Sequence, residues 1–289
     1  MHLLLLSVTC SVLVSVLLKC AARLRIDVAQ AVTWNYLAAT VLCAWLLRPP
    51  LSSLQAPAAP WPELLALALA LPSIFLVLAR SVALAGIVRS DAAQRLSLLL
   101  SLAAAFMLFG ERASGWKLAG LGVGLLAMAG ILARPAQALD APAWRRAWPW
   151  LLATWMGFAL IDVLLKRIAL AGTSSMAALL ACFAAAFVLM LALQLARWAR
   201  GRTRPDLRSL GGGLLLGLLN FGNILFYVRA HQALPDSPAV VFATMNIGVV
   251  ALGTLVGVAC FGERTTRGNR IGLVLAVIAI ALVAWGTRG

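Results

Sequence analysis

Long apolar stretches follow one another along this chain, with only short polar segments between them. A stretch of about 20 apolar residues is what an α-helix needs to cross the hydrocarbon core of a bilayer. Strands of a membrane barrel would alternate in polarity, which these stretches do not. The sequence therefore predicts an all-α integral membrane protein with ten transmembrane helices. They lie near residues 3–21, 29–47, 63–84, 92–109, 115–133, 148–170, 174–196, 210–231, 238–261 and 268–286.

The composition excludes a water-soluble protein. Of the 289 residues, 63% are hydrophobic and 11% are charged, which leaves too few polar side chains to cover a soluble domain. The net charge is +15, and most arginines stand in short clusters where anionic lipid head groups would meet them. The lipid bilayer is therefore an expected partner, and nucleic acid is not. The five cysteines are scattered singly, so no metal site or cofactor is expected.

Two short motifs divide the chain into similar halves. Phe-Gly-Glu-Arg occurs at residues 109–112 and 261–264, and Val-Leu-Leu-Lys occurs at residues 16–19 and 163–166. The halves are residues 1–135 and 145–289, with five predicted helices each. An odd number of helices puts the second half into the membrane upside down, and such inverted repeats are common in secondary transporters. The first motif includes Gly110, Glu111 and Arg112 and, in its second copy, Gly262, Glu263 and Arg264.

The repeated glutamates, Glu111 and Glu263, are expected to be structural. Each lies in a tight turn that glycine permits, where it can pair with an arginine or complement the N-terminus of the following helix. Asp91 and Asp236 stand just before the fourth and ninth predicted helices, where an aspartate can cap a helix. From these caps to the glutamates there are 20 and 27 positions, which predicts a fourth helix shorter by about two turns.

Two halves of five helices, each with a Gly-Glu-Arg turn and a last helix that contains glycine, resemble the drug/metabolite transporter superfamily, EamA type. Ala-Leu pairs at residues 83–84 and 233–234 fit that pattern. The resemblance spans the whole chain and implies a central substrate cavity and transport, usually export, of amino acids, metabolites or drugs. The fourth helix departs from the pattern, because Gln94-Arg95-Leu96 stands where the second half has Pro238-Ala239-Val240.

Ionisable side chains inside membrane helices are the first candidates for a substrate site. They are costly there, by about 2.5–3.5 kcal/mol at mid-helix, and therefore face a bundle interior or a cavity. Asp162 and Lys166 are four residues apart on one helical face, as either a structural ion pair or a substrate site. Asp162 is the only acid well inside a predicted helix, which suits proton coupling or binding of an amino group. Lys19 is the repeat counterpart of Lys166, and it either binds an anionic group or extends to the interface.

Uncharged polar residues on several helices could complete such a site. Asn220, Asn223 and Tyr227 form a stripe on the eighth helix that should face inward, either to line a cavity or to bond neighbouring helices. Aromatic and basic residues near helix ends have an alternative role at the membrane interface. The remaining candidates on other helices are Asn35, Tyr36, Asn246, Trp155 and Arg80.

These features predict a secondary transporter that moves a small metabolite across the bacterial inner membrane by alternating access, most often outward. Protons are the candidate coupling ion, and a monomer or a homodimer is expected. A lipid-carrier flippase or an accessory membrane subunit is the alternative. An intramembrane enzyme is not expected, because the chain has two histidines, no HExxH motif and no paired intramembrane aspartates.

The basic residues give a conflicting signal about orientation. Of the 24 Lys and Arg residues, 7 lie on the side of the predicted N-terminus and the other 17 on the opposite side. The positive-inside rule then places both termini outside the cytoplasm, whereas the family resemblance implies cytoplasmic termini. Both orientations stay open at this point. The seven are Arg48, Arg112, Lys117, Lys166, Arg167, Arg229 and Arg288.

Overall fold

A computed structural model describes residues 2–54, 59–109, 114–132, 141–234 and 238–286. These residues form ten α-helices and no β-strand. The second helix continues as a π-helical turn over Cys43–Leu47, and a short 3-10 turn follows at Leu51–Leu54. The helices are α1 (His2–Cys20), α2 (Val28–Leu42), α3 (Trp61–Ala85), α4 (Ile87–Phe109), α5 (Gly115–Leu132), α6 (Ala141–Leu170), α7 (Ser175–Ala199), α8 (Leu207–Ala233), α9 (Pro238–Phe261) and α10 (Arg267–Gly286).

The helices have the dimensions of membrane spans. In the described part of the chain, nine of them are long and apolar enough to cross a bilayer, and α5 is a shorter apolar helix. Large apolar side chains on their outer faces, such as Leu5, Leu65 and Met156, are more than half exposed, as lipid-facing side chains would be. The chain is therefore an all-α, multi-pass membrane protein, which confirms the coarse fold predicted from the sequence.

The prediction of a short fourth helix is wrong. α4 begins at Ile87, not near residue 92, and its 23 residues nearly equal the 24 of α9. Asp91 is no helix cap, because it lies in the second turn of α4, where it is buried and accepts a hydrogen bond from Ser15 Oγ. Asp236, its predicted counterpart, lies outside the described residues. α6 likewise begins earlier than predicted, at residue 141.

Contacts between helix ends define the two ends of the bundle. At one end, Asp27 before α2 pairs with Arg197 of α7 at 2.9 Å, and its backbone N–H donates to Ser209 Oγ of α8. We call this the arginine-rich end, because the α1–α2 and α7–α8 connections there carry most of the clustered arginines. At the opposite end, Glu63 of α3 lies 3.9 Å from Arg167 of α6. Successive helices thus run in opposite directions, as membrane spans joined by short loops must.

Close packing of α8 on α2 depends on two glycines four residues apart. A Cβ atom at Gly213 would lie 2.5 Å from the Ala31 carbonyl oxygen, and one at Gly217 would lie 2.7 Å from the Asn35 carbonyl oxygen. Both distances are far inside van der Waals contact. The backbones of α2 and α8 can therefore approach as they do only because these positions lack a side chain.

We expect Gly213→Val to destabilise the protein by about 1–3 kcal/mol, because the added carbons force α2 and α8 apart. Gly211→Val is the matched control, since a Cβ at Gly211 meets nothing within 4 Å and the helix-propensity change is the same. The apparent melting temperature of the two purified variants in one detergent measures the difference. Equal melting temperatures would contradict the packing described for this helix pair.

Candidate functional site

A cavity of about 250 Å³ lies inside the bundle between α4, α6, α8 and α9. A second cavity, of about 240 Å³, adjoins it on the side of α2, α3 and α7. The two share four lining residues, and we treat them together as the central cavity. Both halves of the chain contribute to its walls. The shared lining residues are Gln94, Phe158, Asn223 and Ile224.

Two charged side chains of opposite sign line the central cavity. Asp162 of α6 is exposed to the cavity, and its carboxylate accepts a hydrogen bond from Ser101 Oγ at 2.8 Å. Arg95 of α4 donates through Nη2 to Ser11 Oγ at 2.6 Å. Its guanidinium interacts electrostatically with the carboxylates of both Asp162 and Asp91. Arg95 was not among the candidate site residues identified from the sequence.

Asp91 is a second intramembrane acid that the sequence analysis misplaced. It is 2% exposed, and its Oδ2 atom has no hydrogen-bond partner in the described part of the chain. Gly253 of α9 packs directly on this carboxylate, because a Cβ there would lie 2.6 Å from Oδ2. The expectation that Asp162 is the only acid well inside a helix is therefore wrong. The i, i+4 spacing of Asp91 and Arg95 is the sequence signal that could have revealed both.

The polar stripe predicted on α8 lies against the central cavity. Asn223 and Tyr227 line its first part, and Asn220 lines its second. The stripe also bonds neighbouring helices, since Asn220 Nδ2 donates to Asn35 Oδ1 at 3.4 Å and Asn223 Oδ1 accepts from Ser7 Oγ at 2.8 Å. The two roles that the sequence left open, cavity lining and interhelical bonding, are thus combined in the same residues.

Two further candidates contribute to the walls of the cavity. Asn246 of α9 lines it and donates through Nδ2 to the carbonyl oxygen of Phe242, one turn earlier. Tyr36 of α2 is fully buried and packs edge-on against Phe75, with ring centroids 6.1 Å apart. The Tyr36 hydroxyl has no hydrogen-bond partner among the described residues, although it borders the second part of the cavity.

Several predicted site residues lie elsewhere. Arg80 is exposed near the end of α3, outside the central cavity. Trp155 donates its indole N–H to the Leu96 carbonyl oxygen at 2.8 Å and joins α6 to α4. Lys166 is half-buried one turn beyond Asp162 and is not among the lining residues of the central cavity. The i, i+4 spacing put these charges on one helical face, but only Asp162 lines the cavity.

Glu263 has the structural role expected of the repeated motif, but at a different helix. Its carboxylate accepts hydrogen bonds from the backbone N–H groups of Ile87 at 2.7 Å and Val88 at 3.0 Å. It therefore complements the N-terminus of α4, in the other half of the chain, and not that of the following helix α10. Lys19 Nζ lies 3.4 Å from the same carboxylate and donates to the Val82 carbonyl oxygen. We call this arrangement the Glu263 cap.

The backbone around the Glu263 cap requires glycine. Gly262 has a φ of 61°, and Gly86 has a φ of 91°, both in the left-handed region that glycine favours. A Cβ at Gly86 would also lie 2.5 Å from the Glu263 carboxylate. Arg264 lines a cavity of about 270 Å³ beside the cap. The first copy of the motif, Gly110, Glu111 and Arg112, lies outside the described residues.

A buried arginine joins four helices next to the cap. Arg89 of α4 donates through Nη2 to Asn269 Oδ1 at 2.8 Å, and its guanidinium lies 5.2 Å from the ring centroid of Trp144 on α6. Asn269 of α10 donates in turn to the carbonyl oxygens of Gly130 and Ile131 near the end of α5. No sequence motif indicated this cluster, because its members come from four separate helices.

Comparisons with known proteins place the chain in a family. No protein-family model matches it. A solved structure described as "Crystal structure of protein" has a TM-score of 0.56 at 18% identity, over 98% of this chain and 97% of its own, which shows a shared fold alone. A protein of Haemophilus influenzae described as "Uncharacterized protein" is 40% identical over 288 residues, 97% of this chain and 96% of the relative. Identity of this extent shows that the chain belongs to the same protein family as the H. influenzae protein.

Proposed function

We propose that this protein is a secondary transporter that carries a small polar metabolite across the bacterial inner membrane by alternating access, in the exporting direction. The observation that carries the proposal is the pair of opposite charges, Asp162 and Arg95, in a cavity between membrane-spanning helices. Charged groups at such depth are costly. A purely structural bundle could be built without them, whereas a transporter needs a polar site that its substrate can reach.

The helix contacts support a second proposal, that the halves are inverted repeats of the EamA type. In such a repeat, each helix of the first half corresponds to the helix five places later, so that α1 corresponds to α6 and α3 to α8. The contact of α1 with α8 then becomes that of α6 with α3, and both occur. The same holds for α2 with α8 and α7 with α3, and for α4 with α6 and α9 with α1. Two halves with interchangeable contacts can exchange conformations around a site between them.

The lining of the central cavity favours a small zwitterion such as an amino acid. The Asp162 carboxylate is an acceptor for a substrate ammonium group, and the Arg95 guanidinium is a donor for a substrate carboxylate. Amides of Gln94, Asn223 and Asn246 add uncharged donors and acceptors. The part of the central cavity that holds these charges has a volume of about 250 Å³, which suits a metabolite better than a large drug, since ligand pockets begin at about 300 Å³.

Alternating access requires that contacts at one end of the bundle break while others form. The Glu263 cap and the Arg89–Asn269 contact hold α4, α5, α6 and α10 together at the arginine-rich end. In our proposal these contacts form the closed gate of the present conformation. Their polar character suits a gate, because water can replace their hydrogen bonds when the helices separate.

A transport screen in proteoliposomes tests the proposed function. Vesicles containing the purified protein are loaded with a mixture of isotope-labelled amino acids, nucleosides and sugars, and efflux is followed by mass spectrometry with and without a proton gradient. We expect zwitterionic amino acids to leave faster than from protein-free vesicles. Translocation of a lipid-linked sugar without efflux of any soluble solute would instead favour the flippase alternative and contradict metabolite transport.

A further inference from the structure

A groove between α1 and α8 opens at the arginine-rich end, separate from the central cavity. Its volume is about 530 Å³, and its charged lining consists of three arginines, Arg23, Arg25 and Arg208. Leu17 and Leu215 are among the apolar residues of its walls. We call it the Arg25 groove. It thus combines a strongly cationic part with an apolar part, as a site for an amphipathic anion would.

The groove lies where a phospholipid head group meets its acyl chains. α8 has 27 residues and is about 40 Å long, longer than the hydrocarbon core of about 30 Å, so its first turn extends into the head-group layer. Arg208 lies in that turn, whereas Leu215 lies two turns deeper, at the level of the acyl chains. Between them, a Cβ at Gly211 would meet nothing within 4 Å, so this part of α8 is uncovered.

Arg25 occupies a backbone conformation that favours glycine. Its φ is 54°, in the left-handed region. The turn is the usual one at a helix end, in which the Ile26 N–H donates to the Ala21 carbonyl oxygen and the Arg25 N–H donates to that of Ala22. Glycine is the ordinary residue there, because a side chain is strained. An arginine at this position costs some backbone strain that glycine would avoid.

The arginines of the groove take part in no salt bridge within the described residues. Within the described residues, the guanidinium groups of Arg23, Arg25 and Arg208 form no hydrogen bond or ion pair. Asp206 lies near Arg208, but its carboxylate caps α8 by accepting from the Ser209 N–H at 3.1 Å. The other left-handed arginine, Arg48, differs in that its Nε donates to a nearby carbonyl oxygen. The groove therefore keeps a net positive charge, which is complementary to an anionic ligand.

We propose that the Arg25 groove is a binding site for an anionic phospholipid, with the phosphodiester held by the three arginines and an acyl chain along α1 and α8. Basic pockets between membrane helices bind acidic lipid head groups in this manner. The proposal is independent of the transport function, since neither the groove nor its ligand involves the central cavity.

Titration of the detergent-solubilised protein with dioleoyl phosphatidylglycerol, followed by native mass spectrometry, tests this site. The double variant Arg25→Gly, Arg208→Gln is expected to bind this lipid on the order of 30-fold more weakly than the wild type, at about fivefold for each arginine. Dioleoyl phosphatidylcholine, which has the same chains, and inorganic phosphate should each bind the wild type much more weakly. Arg25→Gly should leave the lipid-free melting temperature unchanged or higher, because glycine relieves the strained turn.

The control is the double variant Arg145→Gln, Arg267→Gln, which removes two exposed arginines from the same end of the bundle without touching the groove. It should bind phosphatidylglycerol as the wild type does. The proposal is overturned if both double variants weaken binding equally, since general surface charge would then account for the affinity. It is equally overturned if phosphatidylcholine or free phosphate binds as tightly as phosphatidylglycerol.

Discussion

Asp162→Asn is expected to lower the rate of substrate transport by about 10- to 100-fold, because the variant loses the charge that would hold a substrate cation or proton. A hydrogen bond to a charged group contributes about 1.5–3 kcal/mol, and about 1.4 kcal/mol corresponds to a factor of ten. The rate should also lose its dependence on an imposed proton gradient if Asp162 carries the coupling proton. Efflux of the substrate found in the proteoliposome screen measures both effects.

The substitution should leave the fold intact, which separates loss of function from loss of structure. Asparagine keeps a side-chain oxygen that can accept the hydrogen bond from Ser101 Oγ. The matched control is Glu63→Gln, an acid-to-amide change in a loose ion pair with Arg167, 3.9 Å apart and outside the central cavity. Exposed pairs of this kind contribute about 0–1 kcal/mol, so Glu63→Gln should transport normally. If Asp162→Asn transports the substrate as fast as this control, Asp162 is not part of the substrate site.

Glu263→Ala is expected to lower the free energy of unfolding by about 1–3 kcal/mol, the largest stability effect that we predict for a single polar side chain. Alanine leaves the N–H groups of Ile87 and Val88 without an acceptor, and capping groups at helix starts contribute about 0.5–2 kcal/mol. It also removes the partner of Lys19. The measurement is the apparent melting temperature of the purified protein in detergent.

Two further variants distinguish capping from charge pairing at Glu263. Glu263→Gln keeps one acceptor oxygen for α4. Its melting temperature should therefore lie between those of the wild type and Glu263→Ala. Lys19→Met removes the cation but leaves both capping hydrogen bonds, so it should destabilise the protein less than Glu263→Ala. If Lys19→Met lowers the melting temperature as much as Glu263→Ala does, the ion pair stabilises the start of α4 and the capping role of the carboxylate is wrong.

The errors at α4 show why local sequence rules miss part of this site. Asp91 has the residue type and the position of a helix cap, and the sequence analysis interpreted it as one. The actual cap comes from Glu263, more than 170 residues away, so α4 can start one turn earlier and carry Asp91 into the membrane. Arg95 already lay within the predicted helix, and the packing of α4 against α1 and α6 places it inside the bundle. The misplaced boundary therefore concealed Asp91, whereas the place of Arg95 depended on helix packing.

The polar residues of α8 show the opposite case. Asn220, Asn223 and Tyr227 recur at helical spacing on an otherwise apolar helix, and lipid disfavours such a stripe on its own side. Their place beside the central cavity therefore follows from a pattern within one helix. Arg80 and Trp155 had no such periodic support, and the structure places them outside the cavity.

The sequence alone determined that this chain is an all-α membrane protein, and where nearly all of its helices lie, because hydrocarbon requires long uninterrupted apolar helices and their length is a local property. It also determined the repeated motifs, which are visible without any structure. Only the tertiary structure decided which polar groups meet. Arg95 lies beside Asp162, and Glu263 caps α4, because helices far apart in sequence pack with particular faces together. Such contacts depend on the packing of whole helices, which no short segment of sequence specifies.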